Sequence, residues 1–492
     1  MKKLILSIDQ GTTSSRSILF DLKGKKIFSS QYEFRQIFPN LGWVEHNPED
    51  IWRVTLRTIK EAIKKSKRLK AKIISIGITN QRETSILWNK KTGKPIYNAI
   101  VWQDRRTNKI CEKLKKRKLE ILFRKKTGLF IDPYFSATKV KWILDNVSSA
   151  KKLLKNKQLL FGTIDTFLIW RLTNKISHLT DATNASRTLM YNINSNKWDK
   201  DILDQLKIPT SILPEVKNSA DNFGITSKKI IGEEIPIHAV LGDQQAAAVG
   251  QTCFEKGSVK STYGTGAFAI MNTGSKKILS KNKLLTTICY RLKNKNTYAL
   301  EGSIFIAGAG VQWLRDKIRL IDNAYETEKI AKSKKSNDGI YVVPAFTGLG
   351  APYWSSESRG LITGLTRNSD WKNLVRAVIE SVAYQSYDLF EAMRKDGSKP
   401  KLIKVDGGMV ANNWFAQFLS DILNTKVLRP VIQETTALGV AFFAGYQAGE
   451  FKSLGEIKHK WKKDAIFTSK MNKKLRNNLL QGWQQAIRKT LA

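Results

Sequence analysis

The stretch "LILSIDQGTTSSRSILFD" (residues 4–21) sets apolar runs on either side of a turn that gathers a carboxylate, a glycine and four hydroxyl side chains into residues 9–15. Apolar flanks this short favour two antiparallel strands joined at a tight tip. "KIFSSQYEF" then extends the meander past a Lys23-Gly24 turn. A tip built from Gly11, Thr12, Thr13 and Ser14 exposes backbone N–H groups and hydroxyls, which together make an anion cradle, and Arg16 adds a permanent positive charge. Asp9 ends a buried strand, where it is poorly placed for packing but well placed to hold Mg²⁺. The plainer reading of the same residues is a Ser/Thr-rich turn.

Outward from this hairpin, "HNPEDIWRVTLRTIKEAIKK" carries a helix start. Asn47 can cap, Pro48 suits the first turn, and Glu49 and Asp50 complement the helix dipole. Ile51, Leu56, Ile59 and Ile63 supply an apolar face, and "KIISIGIT" follows as a strand apolar enough to be buried on both sides. The second half repeats this grammar. "SVKSTYGTGAFAIM" (258–271) is strand, Gly/Thr turn and strand, a long helix runs from about Asp370 to Met393, and "KLIKVDGGMVANNWFAQFLSDIL" reads strand, glycine turn, helix. These repeats predict a duplicated α/β protein divided near residue 250, with domains over 1–250 and 251–492.

The composition narrows the class. At 492 residues the chain is long enough for two or three domains with real cores, and no apolar run approaches the ~18 residues of a membrane span. "MKKLILSIDQG" resembles a signal peptide until Asp9 interrupts it, so it is read as a first strand. Cys111, Cys253 and Cys289 are odd in number and lack metal-site spacing, which suits buried thiols in a reducing cytoplasm. Lys and Arg outnumber Asp and Glu 84 to 42, for a net charge of +42. A nucleic-acid footprint is one reading, but no recognised binding motif accompanies runs such as "KKSKRLKAK" and "KLKKRK". Lysine-rich solvated helix surfaces are therefore the favoured explanation, and no specific nucleic acid is expected.

Four further stretches bear on chemistry. The tip Gly264-Thr265-Gly266 in "STYGTGAF" offers a second small cradle, so two hairpins facing one another could grip a polyphosphate from both sides. "VDGGMVANN" (405–413) puts Asp406, Gly407 and Gly408 between a strand and a helix, where glycines admit a flat ligand. It is neither a G-x-G-x-x-G fingerprint nor a P-loop, which implies a nucleotide site of another type. "GITNQRET" places Arg82 and Glu83 after a buried strand, able to bind vicinal hydroxyls or merely to form a surface pair. In "VLGDQQAAAVG" Asp243 ends an apolar run and precedes residues small enough for close helix packing, a place from which a carboxylate can serve as general base. Trp102 and Tyr134 are candidate aromatic walls or simply core.

Taken in order, "DQGTTSSR", "GWVEHNPEDIW", "GITNQRET", "YFSATKVKWILDN", "GDQQAA", "YGTG", "VVPAFTGLGAPYW", "GLITGLTRNSDWKNLVRAVIE" and "VDGGMVANN" resemble the FGGY carbohydrate kinases, and among them the branch that acts on glycerol. The resemblance runs from end to end. It implies two ribonuclease-H-like domains of the actin/hexokinase/Hsp70 ATPase type around a hinged cleft. It also implies the reaction of ATP and glycerol to ADP and sn-glycerol 3-phosphate, with Mg²⁺ at Asp9 and Asp243. Carried over by position, Arg82, Glu83, Trp102, Tyr134, Asp243 and Gln244 surround glycerol, with Asp243 the base. Thr12, Thr13, Ser14, Arg16 and Thr265 meet the phosphates, and Gly308, Gln312, Gly408 and Asn412 line the nucleoside pocket. A cytoplasmic homodimer or homotetramer is the family expectation.

The chain also departs from that family. Some bacterial members bind fructose 1,6-bisphosphate through a glycine-rich loop with an arginine, yet "TSKKIIGEEIPI" (226–237) has Lys228 and Glu234 at the matching places. Asn472 replaces a glutamate used in docking a sugar-transport regulator, so both controls are expected to be lost. The histidine of a phosphorylated activation loop is missing too; His238 lies in the strand leading to Asp243. Three alternatives stay in view: another FGGY kinase acting on xylulose or gluconate, an actin-like ATPase or chaperone, and a nucleic-acid-binding protein.

Overall fold

The computed structural model describes residues 1–492, which divide into two compact units. The first comprises Met1–Thr252, Thr286–Tyr298 and Glu434–Trp461; the second comprises Cys253–Leu285, Ala299–Gln433 and Lys462–Ala492. The chain passes from one to the other at Thr252/Cys253, close to residue 250. A single cut there nevertheless misses two segments of the second half that fold with the first unit.

In the first unit β1 (Lys2–Gln10), β2 (Ser14–Asp21) and β3 (Lys26–Glu33) form the antiparallel meander, with Asp9 opposite Arg16. β4 (Ala71–Asn80) adds parallel to β1, and β5 (Ile237–Gly242) parallel to β4, for the order β5-β4-β1-β2-β3. Helix α1 (Pro48–Arg68) makes the crossover from β3 to β4. Asn47 caps it by accepting the Glu49 N–H at 2.9 Å. Its buried face is Ile51, Val54, Thr55, Thr58, Ile59, Ala62 and Ile63, with Leu56 at the margin. The lysine run that follows sits at the exposed end of this helix, as expected of a solvated surface.

The second unit repeats the plan. β6 (Ser258–Tyr263) and β7 (Ala267–Gly274) form a hairpin, and β9 (Lys295–Ile304), whose residues from Ala299 onward belong to this unit, adds on one side, while β8 (Leu285–Leu292) belongs from Thr286 onward to the first unit. On the other side β10 (Leu402–Asp406) and β11 (Val427–Pro430) pair parallel, and β12 (Lys463–Phe467) closes the edge antiparallel. The inner order β9-β7-β6-β10-β11 reproduces β3-β2-β1-β4-β5 of the first unit, the ribonuclease-H-like arrangement. The long helix, Trp371–Lys395, has Asp370 and Asn373 in a reciprocal capping box. Each unit has its own apolar core, and all three cysteines are buried. No helix is long and apolar enough to cross a membrane.

Candidate active site

Strand ends in the first unit collect the charged residues. Helix α2 (Asp243–Gly250) starts immediately after β5, so Asp243 sits where a parallel strand gives way to a helix N-terminus. Its helix packs against helix Thr435–Gln447 at almost backbone contact. A Cβ on Gly250 would lie 1.9 Å from the Thr435 carbonyl oxygen, and one on Gly439 would lie 1.8 Å from that of Ala246. Glycine is required at both places, and the small-residue run after Asp243 is there to let two helices meet.

Arg82 and Glu83 follow β4 and are each about 2% exposed, so they are no surface pair. Arg82 Nε lies 3.1 Å from Asp243 Oδ1 and its Nη1 donates to Gln245 Oε1 at 3.2 Å. Glu83 Oε1 lies 2.6 Å from Arg187 Nε and 4.0 Å from Arg82 Nε. The result is a chain of alternating charge, Arg187–Glu83–Arg82–Asp243. Only its last carboxylate keeps appreciable exposure, 32% of the side chain. Gln244, next on α2, is partly buried, and its N–H donates to Asp243 Oδ1 at 2.6 Å. Trp102 and Tyr134 pack edge to face with ring centres 5.6 Å apart, both partly exposed.

The β1–β2 tip is tied to the same neighbourhood. Gly11 N–H donates to Ser14 O at 2.9 Å, closing the turn, and the Trp102 indole donates to Thr12 Oγ1 at 3.1 Å. Thr13 is exposed, and Ser14 Oγ accepts from Gln31 at 3.0 Å. Arg16 bridges two carboxylates, Asp9 Oδ2 at 2.7 Å and Glu434 Oε2 at 2.6 Å. Burial pushes the Asp9 carboxyl above its ordinary range; Arg16 opposes this, while the charges of Asp243 and Glu434 add to it. Asp9 and Asp243 suit magnesium, an ion held by one or two carboxylates together with water and substrate phosphates. No three acidic, histidine or cysteine side chains converge into an all-protein cage.

In the second unit the β6–β7 tip is held by main chain. Gly264 O accepts the Gly308 N–H at 2.9 Å, and Thr265 O accepts those of Ala307 and Ala309 at 2.9 and 3.0 Å. The first-turn amides of helix Gly308–Asp316 are thus satisfied by the hairpin, and the Thr265 side chain is left exposed. Gln312 is exposed on that helix. A Cβ on Gly308 would come within 2.7 Å of Gly264 O, whereas one on Gly408 would meet nothing within 4 Å. Gly408 therefore borders open space. Gly407 has φ +95 and would place a Cβ 2.4 Å from Tyr263 O. Asn412 caps helix Asn413–Leu423 by accepting the Phe415 N–H at 2.9 Å, and its amide also donates to Thr327 Oγ1 at 3.2 Å.

Sequence reasoning missed Arg187, Gln245 and Lys139. Lys139 is fully buried within helix Ser136–Asn146, and its ammonium donates to the carbonyls of Pro133 and Tyr134 at 2.6 Å and of Phe135 at 3.2 Å. Burial pushes it down to about 7. A lysine inside an otherwise apolar helix face was the available signal.

Comparison with known proteins agrees over the whole length. Residues 4–250 match the N-terminal domain, and residues 259–448 the C-terminal domain, of the FGGY family of carbohydrate kinases. The glycerol kinase of Petrotoga mobilis is 54% identical over 488 residues, covering 99% of this chain and 98% of its own; that of Chelativorans sp. is 55% identical over 494 residues, covering 100% and 99%. The structure of Plasmodium falciparum glycerol kinase with ADP superposes with a TM-score of 0.95 at 39% identity, covering 100% of this chain and 99% of that one. Xylulose kinase from Lactobacillus acidophilus, at 23% identity and a TM-score of 0.89 over 99% of this chain and 97% of its own, shares the fold. With both domain models matched in order and relatives more than half identical from end to end, the chain belongs to the FGGY family of carbohydrate kinases.

Proposed function

We propose that the chain transfers the γ-phosphoryl group of ATP to glycerol, giving ADP and sn-glycerol 3-phosphate, with Asp243 as general base. The observation that carries this is the alternating chain Arg187–Glu83–Arg82–Asp243, buried except at Asp243. Arg82 donates and Glu83 accepts, which suits adjacent hydroxyls of a small polyol, while Trp102, Tyr134 and Gln244 complete the surround. Arg82 also fixes the Asp243 carboxylate beside the hydroxyl that loses its proton. Phosphoryl transfer asks mainly for in-line positioning and charge neutralisation, and this set of residues supplies both.

Thr12, Thr13, Ser14 and Arg16 of the first hairpin, with Thr265 of the second, would bind the phosphates. Gly308, Gln312, Gly408 and Asn412 would border the nucleoside, and the ADP of the Plasmodium relative supports a nucleotide of that class. Asp9 and Asp243 would hold Mg²⁺, which when bound neutralises charge on the transferring phosphoryl group. The Arg16 bridge to Asp9 and Glu434 keeps that carboxylate in place.

Loss of anion control has physical support as well. Lys228 Nζ lies 3.7 Å from Glu234 Oε2, so a carboxylate stands beside this lysine of the loop and disfavours an anion there. Asn472 caps the C-terminal helix Lys473–Leu491 by accepting the Leu475 N–H at 2.8 Å. A cytoplasmic homodimer or homotetramer without either regulator is the corresponding expectation.

The test is ADP release with and without glycerol. D243N should lose about 10²–10⁴-fold in kcat while still binding ATP, the range for removing a general base. Wild-type turnover in that variant would sink the assignment, and phosphorylation of xylulose but not glycerol would move the chain to another branch of the family.

A further inference from the structure

The polyol residues are braced by one buried segment, residues 180–187. Asp181 caps the short helix Ala182–Ala185, accepting the N–H groups of Thr183 and Asn184 at 2.9 Å and the Ser219 hydroxyl at 2.8 Å. From this turn Thr183 Oγ1 accepts the Gly242 N–H at 2.9 Å, one residue before Asp243. Asn184 and Asn80, at the end of β4, exchange amide hydrogen bonds of 3.0 and 3.1 Å. Arg187 then reaches Glu83, Nε to Oε1 at 2.6 Å. Its guanidinium carbon also lies 5.5 Å from the Tyr134 ring centre and 5.3 Å from that of Phe135.

Glu83 needs such a brace. Its backbone lies at φ +61, a region that non-glycine residues occupy only when their surroundings hold them. The Ser85 and Ser136 hydroxyls donate to its carbonyl at 3.0 and 2.8 Å, which holds the main chain. Arg187, fully buried, holds the side chain through a charge-assisted hydrogen bond.

We infer that Arg187 is the positioning residue for polyol selectivity: by fixing the Glu83 carboxylate and backing the Tyr134 ring, it makes this site demand a full set of hydroxyls. This rests on the glycerol reading above. A carboxylate that cannot swing away is left unpaired by a substrate lacking a hydroxyl, whereas a loose one re-solvates and tolerates the loss. Lysine cannot substitute fully, because its single ammonium cannot reproduce the planar Nε contact beside two aromatic rings.

The experiment compares wild type, R187Q and R187K on glycerol and on propane-1,2-diol, with folding followed by circular dichroism. R187Q should raise the glycerol KM about 10–100-fold with kcat and the ATP KM within about threefold, the pattern of lost ground-state and transition-state binding together. The kcat/KM ratio of glycerol over propane-1,2-diol should fall by about tenfold, and R187K should recover part of both effects. Should R187Q fail to fold, R187K carries the test, with a glycerol KM raised about three- to tenfold and a reduced ratio. A glycerol KM and selectivity unchanged in the folded variant would overturn the inference, as would a parallel rise in the ATP KM. Wild type without glycerol-dependent ADP release would overturn the glycerol reading itself; active wild type with an indifferent variant overturns only the role of Arg187.

Discussion

The β1–β2 and β6–β7 hairpins occupy the same place in two copies of one sheet order, yet they are held in different ways. Charged side chains hold the first: Asp9 and Glu434 on Arg16, with the Trp102 indole on Thr12. Carbonyls of Gly264 and Thr265, spent on the amides of helix Gly308–Asp316, hold the second. The contacts that hold the first tip therefore carry charge, and the main-chain contacts that hold the second do not. A duplicated scaffold holds one tip by charged side chains and the other by main-chain packing.

The largest effect expected from breaking this contrast is on the charged side. D9N removes the proposed magnesium carboxylate and leaves Arg16 with Glu434 alone. Turnover should fall by about 10²–10³-fold, comparable with losing one preorganised electrostatic group. Raising Mg²⁺ should recover part of it. A variant with wild-type kcat and Mg²⁺ dependence would remove Asp9 from the site.

The shape-based hairpin should fail differently. G308A drives a Cβ to 2.7 Å from the Gly264 carbonyl oxygen, a backbone atom that cannot swing aside. Overpacking of this kind costs about 1–3 kcal/mol. Thermal denaturation should register that loss. The ATP KM should rise several-fold while the Mg²⁺ dependence and the glycerol KM stay put. Equal stability and ATP KM in G308A would show that the tip relaxes freely.

How much of this was readable beforehand follows the range of the interactions. Both hairpins, α1 with its Asn47 cap and the helix behind Asp370 come from periodicity and capping signals within a few residues, and the structure has all of them. The position of Asp243 was legible because a carboxylate between an apolar strand and a small-residue helix is unusual. Arg187 was not legible: a lone arginine after "DATNAS" looks like surface, and its partner Glu83 stands 104 residues away. The same limit hid the membership of residues 434–461 in the first unit. The glycine-to-carbonyl fit of Gly250 on Thr435 and Gly439 on Ala246 joins helices remote in sequence, and no local pattern announces which helices those are.

The smallest expected effect isolates the electrostatics of the first hairpin. Burial raises the Asp9 carboxyl, and Glu434 contributes to the rise through its own negative charge. E434Q removes that charge and leaves Arg16 to Asp9, so both changes favour ionised Asp9. The acidic limb of kcat/KM for ATP should move toward lower pH relative to wild type, with the plateau nearly unchanged. Stability carries its own sign. A carboxyl whose folded pKa exceeds its unfolded value binds its proton more tightly in the native state, so its contribution to stability declines as pH rises from the unfolded value through the folded one. E434Q should shrink that decline. T265A in the second hairpin, where no titratable group holds the tip, should leave the limb where it was. A limb that moves upward in E434Q, or moves equally in T265A, would mean that Asp9 does not set it, and the division of labour between the two hairpins would fall.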